Sequence, residues 1–149
     1  FGKLPFRNVK GEILDLKIDQ RLEAPILNLG KWLLPLSGGR FRAGATYDLN
    51  TLDQEPTSQG RNEILNGVSE MVDWEWDVEN HRAGVRPALH DFKPVVGRHP
   101  WHGELIIFNG LGSKGALMAP LLANELADHL EEGTFLHPEA DVDRFSTYL

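Results

Sequence analysis

The sequence predicts an α+β fold: a mixed, mainly antiparallel sheet with one helix, followed by a C-terminal strand and helix. Three observations predict it. Two short apolar runs flank Ser37-Gly38-Gly39, a helix-spaced apolar set follows at 64–72, and an apolar run at 104–108 leads through a glycine-rich turn into helix-spaced leucines. The 149 residues amount to about one domain. At 41% hydrophobic and 25% charged, the chain has the apolar surface for a core, unlike a disordered one.

Taken in order, Ile13, Leu14, Leu16 and Ile18 end a loosely alternating stretch at 7–18, a half-buried strand whose edge residues Asp15, Lys17 and Asp19 face water. Pro25 and Gly30 punctuate a second apolar stretch. The runs at 31–36 and 40–47, joined at Gly38-Gly39, form a hairpin. The polar stretch 48–59 is a loop. Ile64, Leu65, Val68, Met71 and Val72 lie three and four apart, one face of a helix near 60–72 that Thr57 or Ser58 can cap. Trp74, Trp76 and Val78 alternate with acidic residues as a strand reaching towards Val85, with the tryptophans in the core or an interface. Pro87, Pro94, Gly97 and Pro100 make 87–103 an ordered loop with at most a short strand. The run 104–108 is a buried strand. Leu117, Leu121, Leu122, Leu126 and Leu130 mark the clearest helix, with Gly133 as its stop, and Val142, Phe145 and Tyr148 form a weaker helical tail.

The charge balance of 15 basic against 22 acidic residues gives −7. An acidic chain with scattered cations repels phosphate backbones, so no nucleic-acid partner is expected from charge. Cys 0 removes disulfides, thiolate metal sites, a cysteine nucleophile and a thioether-linked flavin. No apolar run approaches the ~20 residues that span a bilayer, and no signal peptide is visible, which fits a cytoplasmic protein without membrane contact. His90, His99 and His102 lie close in sequence, but Pro100 breaks any helical His-x-x-His spacing, so no metal site is expected.

Asn109-Gly110-Leu111-Gly112-Ser113-Lys114-Gly115 contains G-x-G-x-x-G between a strand and a helix. Such a turn lets backbone approach a ligand closely, and a helix start offers N–H groups and partial positive charge. A dinucleotide fingerprint also needs a following parallel strand ending in Asp or Glu about 20 residues on. Gly133 and a polar tail stand there instead. The turn therefore either faces a ligand or merely joins strand to helix.

Gly84-Val85-Arg86-Pro87, then Asp91, Pro94 and Gly97-Arg98-His99-Pro100, then the glycine loop ending in Ala119-Pro120, resemble the C-terminal part of the D-amino-acid-oxidase-type flavoproteins, and within them the glycine oxidases. Val9-Lys10-Gly11-Glu12, Trp32-Leu33-Leu34-Pro35 and Gly44-Ala45-Thr46 resemble the same family's substrate-domain strand and hairpin, so the resemblance covers essentially the whole chain. It implies an FAD-dependent oxidase or dehydrogenase acting on the C–N bond of a small amino acid or N-alkyl amino acid. It assigns 1–86 to a substrate-binding sheet domain and 87–149 to a flavin-facing segment whose strand and helix complete the flavin-domain sheet. Its partner is an N-terminal Rossmann-type half, which these residues lack; alone, they are expected to be inactive and not to retain FAD.

The resemblance also implies the site. Arg86 pairs with the substrate carboxylate, Trp32 lines the substrate pocket, and Gly110, Gly112, Ser113, Lys114 and Gly115 hold the flavin through backbone donors. No catalytic acid or base is implied. Ser113, followed by Lys114, stands near the place where glycine oxidase carries an arginine. A Gly-Ser-basic-Gly loop is also similar to that of the flavin half of the bifunctional enzyme that finishes a methylaminomethyl group on tRNA wobble uridine, an alternative that stays open. So does a non-catalytic binding domain without the cofactor half.

Overall fold

The computed structural model describes residues 1–18 and 25–149; Asp19 of the predicted strand edge lies outside them. The chain divides into two compact units, Lys10–Val85 and Phe1–Val9 with Arg86–Leu149. Residues 1–9, which the family resemblance places with the substrate sheet, thus group with the C-terminal segment.

The first unit is built on a five-stranded sheet ordered β2-β3-β4-β1-β5, with β1 Val9–Lys17, β2 Leu27–Leu29, β3 Lys31–Pro35, β4 Arg40–Gly44 and β5 Asp77–Arg86. The hairpin predicted around Gly38-Gly39 is present: β3 and β4 pair antiparallel with Leu34 opposite Arg42, and both glycines have the positive φ of a tight turn. β4 pairs antiparallel with β1, from Ile13–Gly44 to Lys17–Arg40. Alternation along β1 sends Leu14 and Leu16 into the core beside Leu33, Phe41 and Ala43. Helix α1, Ser58–Ser69, adds Ile64 and Val68 to that core from one face. Thr57 caps it, its Oγ accepting from Gly60 N at 2.9 Å.

Three expectations shift here. The helix ends at Ser69, and Met71 and Val72 reach the core from a turn in which both N–H groups donate to the Val68 carbonyl. The strand predicted from Trp74 begins at Asp77; Trp74 and Trp76 sit on the extended chain before it and pack on the core, Trp74 with its ring 5.5 Å from that of Phe41. Period-2 spacing reports extended backbone, which needs no ladder partner. Asp15 is not a solvated edge residue: Arg42 Nε donates to it at 2.8 Å and Arg82 at 3.0 Å.

In the second unit β6, Val95–Arg98, and β7, Ile106–Asn109, form an antiparallel ribbon with Val96 opposite Phe108. The ribbon has one covered face, so Ile107 is buried while Ile106 is 44% exposed; the run predicted as wholly buried is half so. Helix α2, Gly115–Glu132, ends at Gly133, whose φ of 72° and N–H bond to the His129 carbonyl make the expected left-handed stop. The tail folds as a 3-10 helix, Val142–Tyr148, started by Asp141, and buries Val142 and Phe145. Its core partners include Leu4, Leu89, Val95 and Ile107, while Val96, Leu122, Leu136 and Ala140 form a neighbouring cluster under α2. The leucines of α2 do not share one buried stripe: Leu122 is buried, but Leu117 is 81% and Leu121 63% exposed. No helix among the described residues is long and apolar enough to cross a membrane.

Candidate functional site

Arg86 is the last residue of β5, and the following proline favours extended backbone at this position. From Pro87 the chain is held on both sides. Phe6 bridges Leu89, with Arg7 N–H donating to the Ala88 carbonyl at 2.7 Å and His90 N–H to the Pro5 carbonyl at 3.0 Å. On the other side Ala88 bridges Leu111, and Gly112 N–H donates to the Pro87 carbonyl at 3.0 Å. The residue next to Arg86 is therefore bonded directly to the glycine loop. Two pieces of the predicted site, far apart in sequence, adjoin in space.

The loop's shape follows from its glycines. Gly110 has φ +74°, and a Cβ there would meet Leu89 Cδ1 at 2.7 Å; its N–H is taken by Asn109 Oδ1 at 2.8 Å. Gly112 has φ +53°, but a Cβ would stand at an ordinary 3.6 Å from Ala88 Cβ. The first glycine is needed by the protein's own packing, the second by its backbone turn. Gly112–Lys114 form a 3-10 turn that runs straight into α2, and neither helix start has a side-chain cap. The N–H groups of Gly112 and Lys114 are engaged with the Pro87 and Leu111 carbonyls. The first turn of α2, beginning at Gly115, has no side-chain cap for its N–H groups. The side chains of Ser113 and Lys114 are exposed.

Trp32 lies in the other unit, on β3, half-buried opposite Asn28 and Gly44; its indole fills the space where Gly44 would carry a Cβ, at 2.7 Å. Asp91 is a loop clamp: Oδ1 accepts from Lys93 N–H and Oδ2 from Arg144 at 3.3 Å. The His99 and His102 rings meet at a tilt with centroids 5.1 Å apart, and no group of three metal-ligating side chains converges among the described residues.

Sequence reasoning missed a buried ionic cluster in the first unit. Lys10, almost wholly enclosed on β1, donates to Asp53 Oδ1 at 2.5 Å and to the Glu55 carbonyl at 2.6 Å. The hydrogen bond to Asp53 raises the Lys10 pKa against the opposing effect of burial, and the same bond lowers that of Asp53. Glu12, 4% exposed, accepts from Thr57 N–H and Oγ at 2.9 Å and contacts His81 Nε2 at 2.7 Å. Its carboxyl sits at the start of α1, beside a polar cavity of about 410 Å³ that Thr46, Asp48 and Glu63 also line. The only signal in sequence was a Lys and a Glu at strand positions; their partners lie in the loop and cap at 53–57 and on β5, distant in sequence.

The chain is 33% identical over 141 residues to the tRNA 5-methylaminomethyl-2-thiouridine biosynthesis bifunctional protein of Marinobacter nauticus, covering 85% of this chain and 22% of that protein. It is 28% identical over 126 residues to glycine oxidase of Bacillus subtilis, covering 83% and 34%. Among solved structures, glycine oxidase from Bacillus cereus superposes with a TM-score of 0.72 at 27% identity, over 87% of this chain and 37% of that one. Iminodiacetate oxidase from Chelativorans sp. gives 0.77 at 26% identity, over 92% and 40%. The chain thus spans between about a fifth and two fifths of the length of these relatives. The family model for FAD dependent oxidoreductases, DAO, matches residues 1–129, so the chain belongs to the DAO family of FAD-dependent oxidoreductases.

Proposed function

We propose that these residues form the substrate-facing and flavin-facing part of an FAD-dependent oxidoreductase that oxidises the C–N bond of a small amino acid or N-alkyl amino acid. The observation that carries the proposal is the ribbon joining Arg86-Pro87 to the glycine loop through the Ala88–Leu111 bridge and the Gly112–Pro87 hydrogen bond. That adjacency supports reading Arg86 as a bidentate carboxylate binder and the glycine turn as the neighbour of a flat, electron-rich ring. The names of the relatives agree: glycine and iminodiacetate are both amines carrying a carboxylate.

The residues fit the cofactor. An 18-residue helix starts at Gly115, directly after the glycine loop, without a side-chain cap. FAD, when bound, supplies two-electron oxidation by accepting a hydride from the carbon next to nitrogen. The first turn of α2 and the Lys114 ammonium stabilise negative charge at the ring edge. Arg86 fixes the carboxylate with two parallel hydrogen bonds and so orients the amine. No general base is assigned; positioning and exclusion of water carry the rate. Residues 1–86 serve the substrate and 87–149 the flavin, and a Rossmann-type half supplies the pyrophosphate site.

A second reading, oxidation of an aminomethyl group carried on a tRNA uridine, is favoured by the relative from Marinobacter. Assaying the holoprotein on glycine, N-methylglycine and modified tRNA decides between them. Turnover of the free amino acids, with tRNA inert, supports the first reading; the converse supports the second.

A further inference from the structure

The chain contains two Asn-Gly steps, Asn66-Gly67 and Asn109-Gly110. A glycine after asparagine leaves the main-chain nitrogen without a side chain to shield it, so that nitrogen can close on the asparagine's own carboxamide. The two steps are held differently. Asn66-Gly67 lies inside α1, where the helical ladder takes Gly67 N–H and the Lys31 side chain packs where Gly67 would carry a Cβ. Asn109 is the last residue of β7, half-buried opposite Val95, and the chain turns at Gly110 with φ +74°. Gly110 N–H donates to Asn109 Oδ1 at 2.8 Å, so the nitrogen already lies beside the carboxamide carbon, one bond from that oxygen. Asn80-His81 shares this local bond, His81 N–H to Asn80 Oδ1 at 2.9 Å, but there a histidine side chain crowds the nitrogen. Among the described residues Asn109 alone combines the geometry with the glycine.

We propose that Asn109 is a site of spontaneous deamidation in the folded protein, and that its conversion ages the flavin-facing loop. Gly110 N gives its proton to hydroxide and bonds Cγ of Asn109. The Cγ–Nδ2 bond breaks, the departing nitrogen takes a proton from water and leaves as ammonia, and a succinimide ring closes. Water then adds to either ring carbonyl and opens it to aspartate or isoaspartate, with no oxidant or reductant required. Aspartate puts a carboxylate in place of the neutral amide at the root of the glycine loop. Isoaspartate adds one carbon to the main chain there. The consequence for flavin rests on the function proposed above: a negative charge beside the ring opposes its anionic reduced form, and a lengthened chain displaces the loop.

The test incubates the folded holoprotein, and the same protein in urea, at mildly alkaline pH. Peptide mapping by mass spectrometry reads aspartate and isoaspartate at positions 66, 80 and 109. In the folded protein Asn109 is expected to convert first, with Asn66 and Asn80 behind it. In urea Asn66 is expected to draw level with Asn109, and both to outrun Asn80, because the glycine then decides alone. No conversion at Asn109 in the folded protein, or a rate no higher than at Asn66 or Asn80, overturns the proposal. Flavin retained after gel filtration is expected to fall in step with conversion, and Asn109→Asp to show a lowered flavin midpoint potential without incubation. Asn109→Gln keeps an amide whose longer side chain closes its ring far more slowly, and is expected to hold its flavin through the same incubation. Equal flavin loss in Asn109→Gln overturns the link between conversion and flavin. Conversion at Asn109 with flavin retention and potential unchanged upholds the modification and takes the glycine loop away from the flavin. If the wild-type protein binds no FAD, the proposed function falls, and the order of conversion still decides for or against Asn109.

Discussion

In the proposed function, Arg86 is the residue that selects the class of molecule the site takes. Its guanidinium matches a carboxylate in a two-pronged geometry that a lysine ammonium cannot reproduce. Arg86→Ala in the holoprotein is expected to weaken carboxylate-bearing substrates by about 2–5 kcal/mol, read as kcat/KM, and Arg86→Lys to restore only part of that. At the buried Lys10–Glu12 cluster the outcome is structural. A Cβ on Gly60 would lie 2.5 Å from the Glu12 carboxylate, which holds the start of α1 through Thr57. Gly60→Ala should cost about 1–3 kcal/mol in urea unfolding, the usual range for overpacking, with flavin binding unaltered. These two residues also mark what could be read beforehand. Arg86 stood in a recognisable motif before a proline, so its backbone and proposed task were legible from local sequence. The Glu12 cluster was not, because Thr57, Asp53 and His81 meet it only after β1, α1 and β5 have packed.

Among the elements, the glycine loop with α2 carries the most consequence. Gly110→Ala puts a methyl against Leu89 in a left-handed backbone, so loss of stability is expected whether or not flavin is present. Gly112 has ordinary room, so Gly112→Ala pays only for its positive φ, about 1 kcal/mol by denaturation. A folded Gly112→Ala protein that has lost FAD affinity supports close flavin approach at this turn, while a folded variant with full affinity removes Gly112 from the cradle. Lys114→Ala should lower the flavin midpoint potential in a redox titration, since a nearby cation favours the anionic reduced ring. Sequence periodicity found α2, its glycine stop and the hairpin, because each is set by local spacing and turn chemistry. It could not tell that the leucines of α2 divide between a covered and an exposed side. Helical spacing records which residues share a face, and the neighbours decide how much of that face is covered. The same reason explains why β7 is half-exposed.

For the molecule as a whole, charge and cofactor set the remaining expectations. Burial raises the pKa of Asp15, but its bonds to Arg42 and Arg82 outweigh this and leave it below the ordinary carboxylate value. A carboxylate depressed in the folded state contributes stability that is present above its unfolded pKa of about 3.9 and is lost as pH falls through the folded value. Acid unfolding should therefore set in below about pH 4, and Asp15→Asn should flatten that dependence. The 149 residues expressed by themselves are expected to purify colourless, because among the described residues the single glycine turn leads into α2 without the βαβ unit that grips a pyrophosphate. A flavin spectrum near one equivalent per chain would contradict this. The pairing of Arg86 with the glycine loop is tested most directly by anaerobic titration of the holoprotein, following bleaching of the oxidised flavin, with N-methylglycine and with its carboxylate-free counterpart dimethylamine. Stoichiometric bleaching by N-methylglycine, absent with dimethylamine and largely lost in Arg86→Ala, is the predicted result. Equal bleaching by both amines, or bleaching untouched by Arg86→Ala, would contradict it.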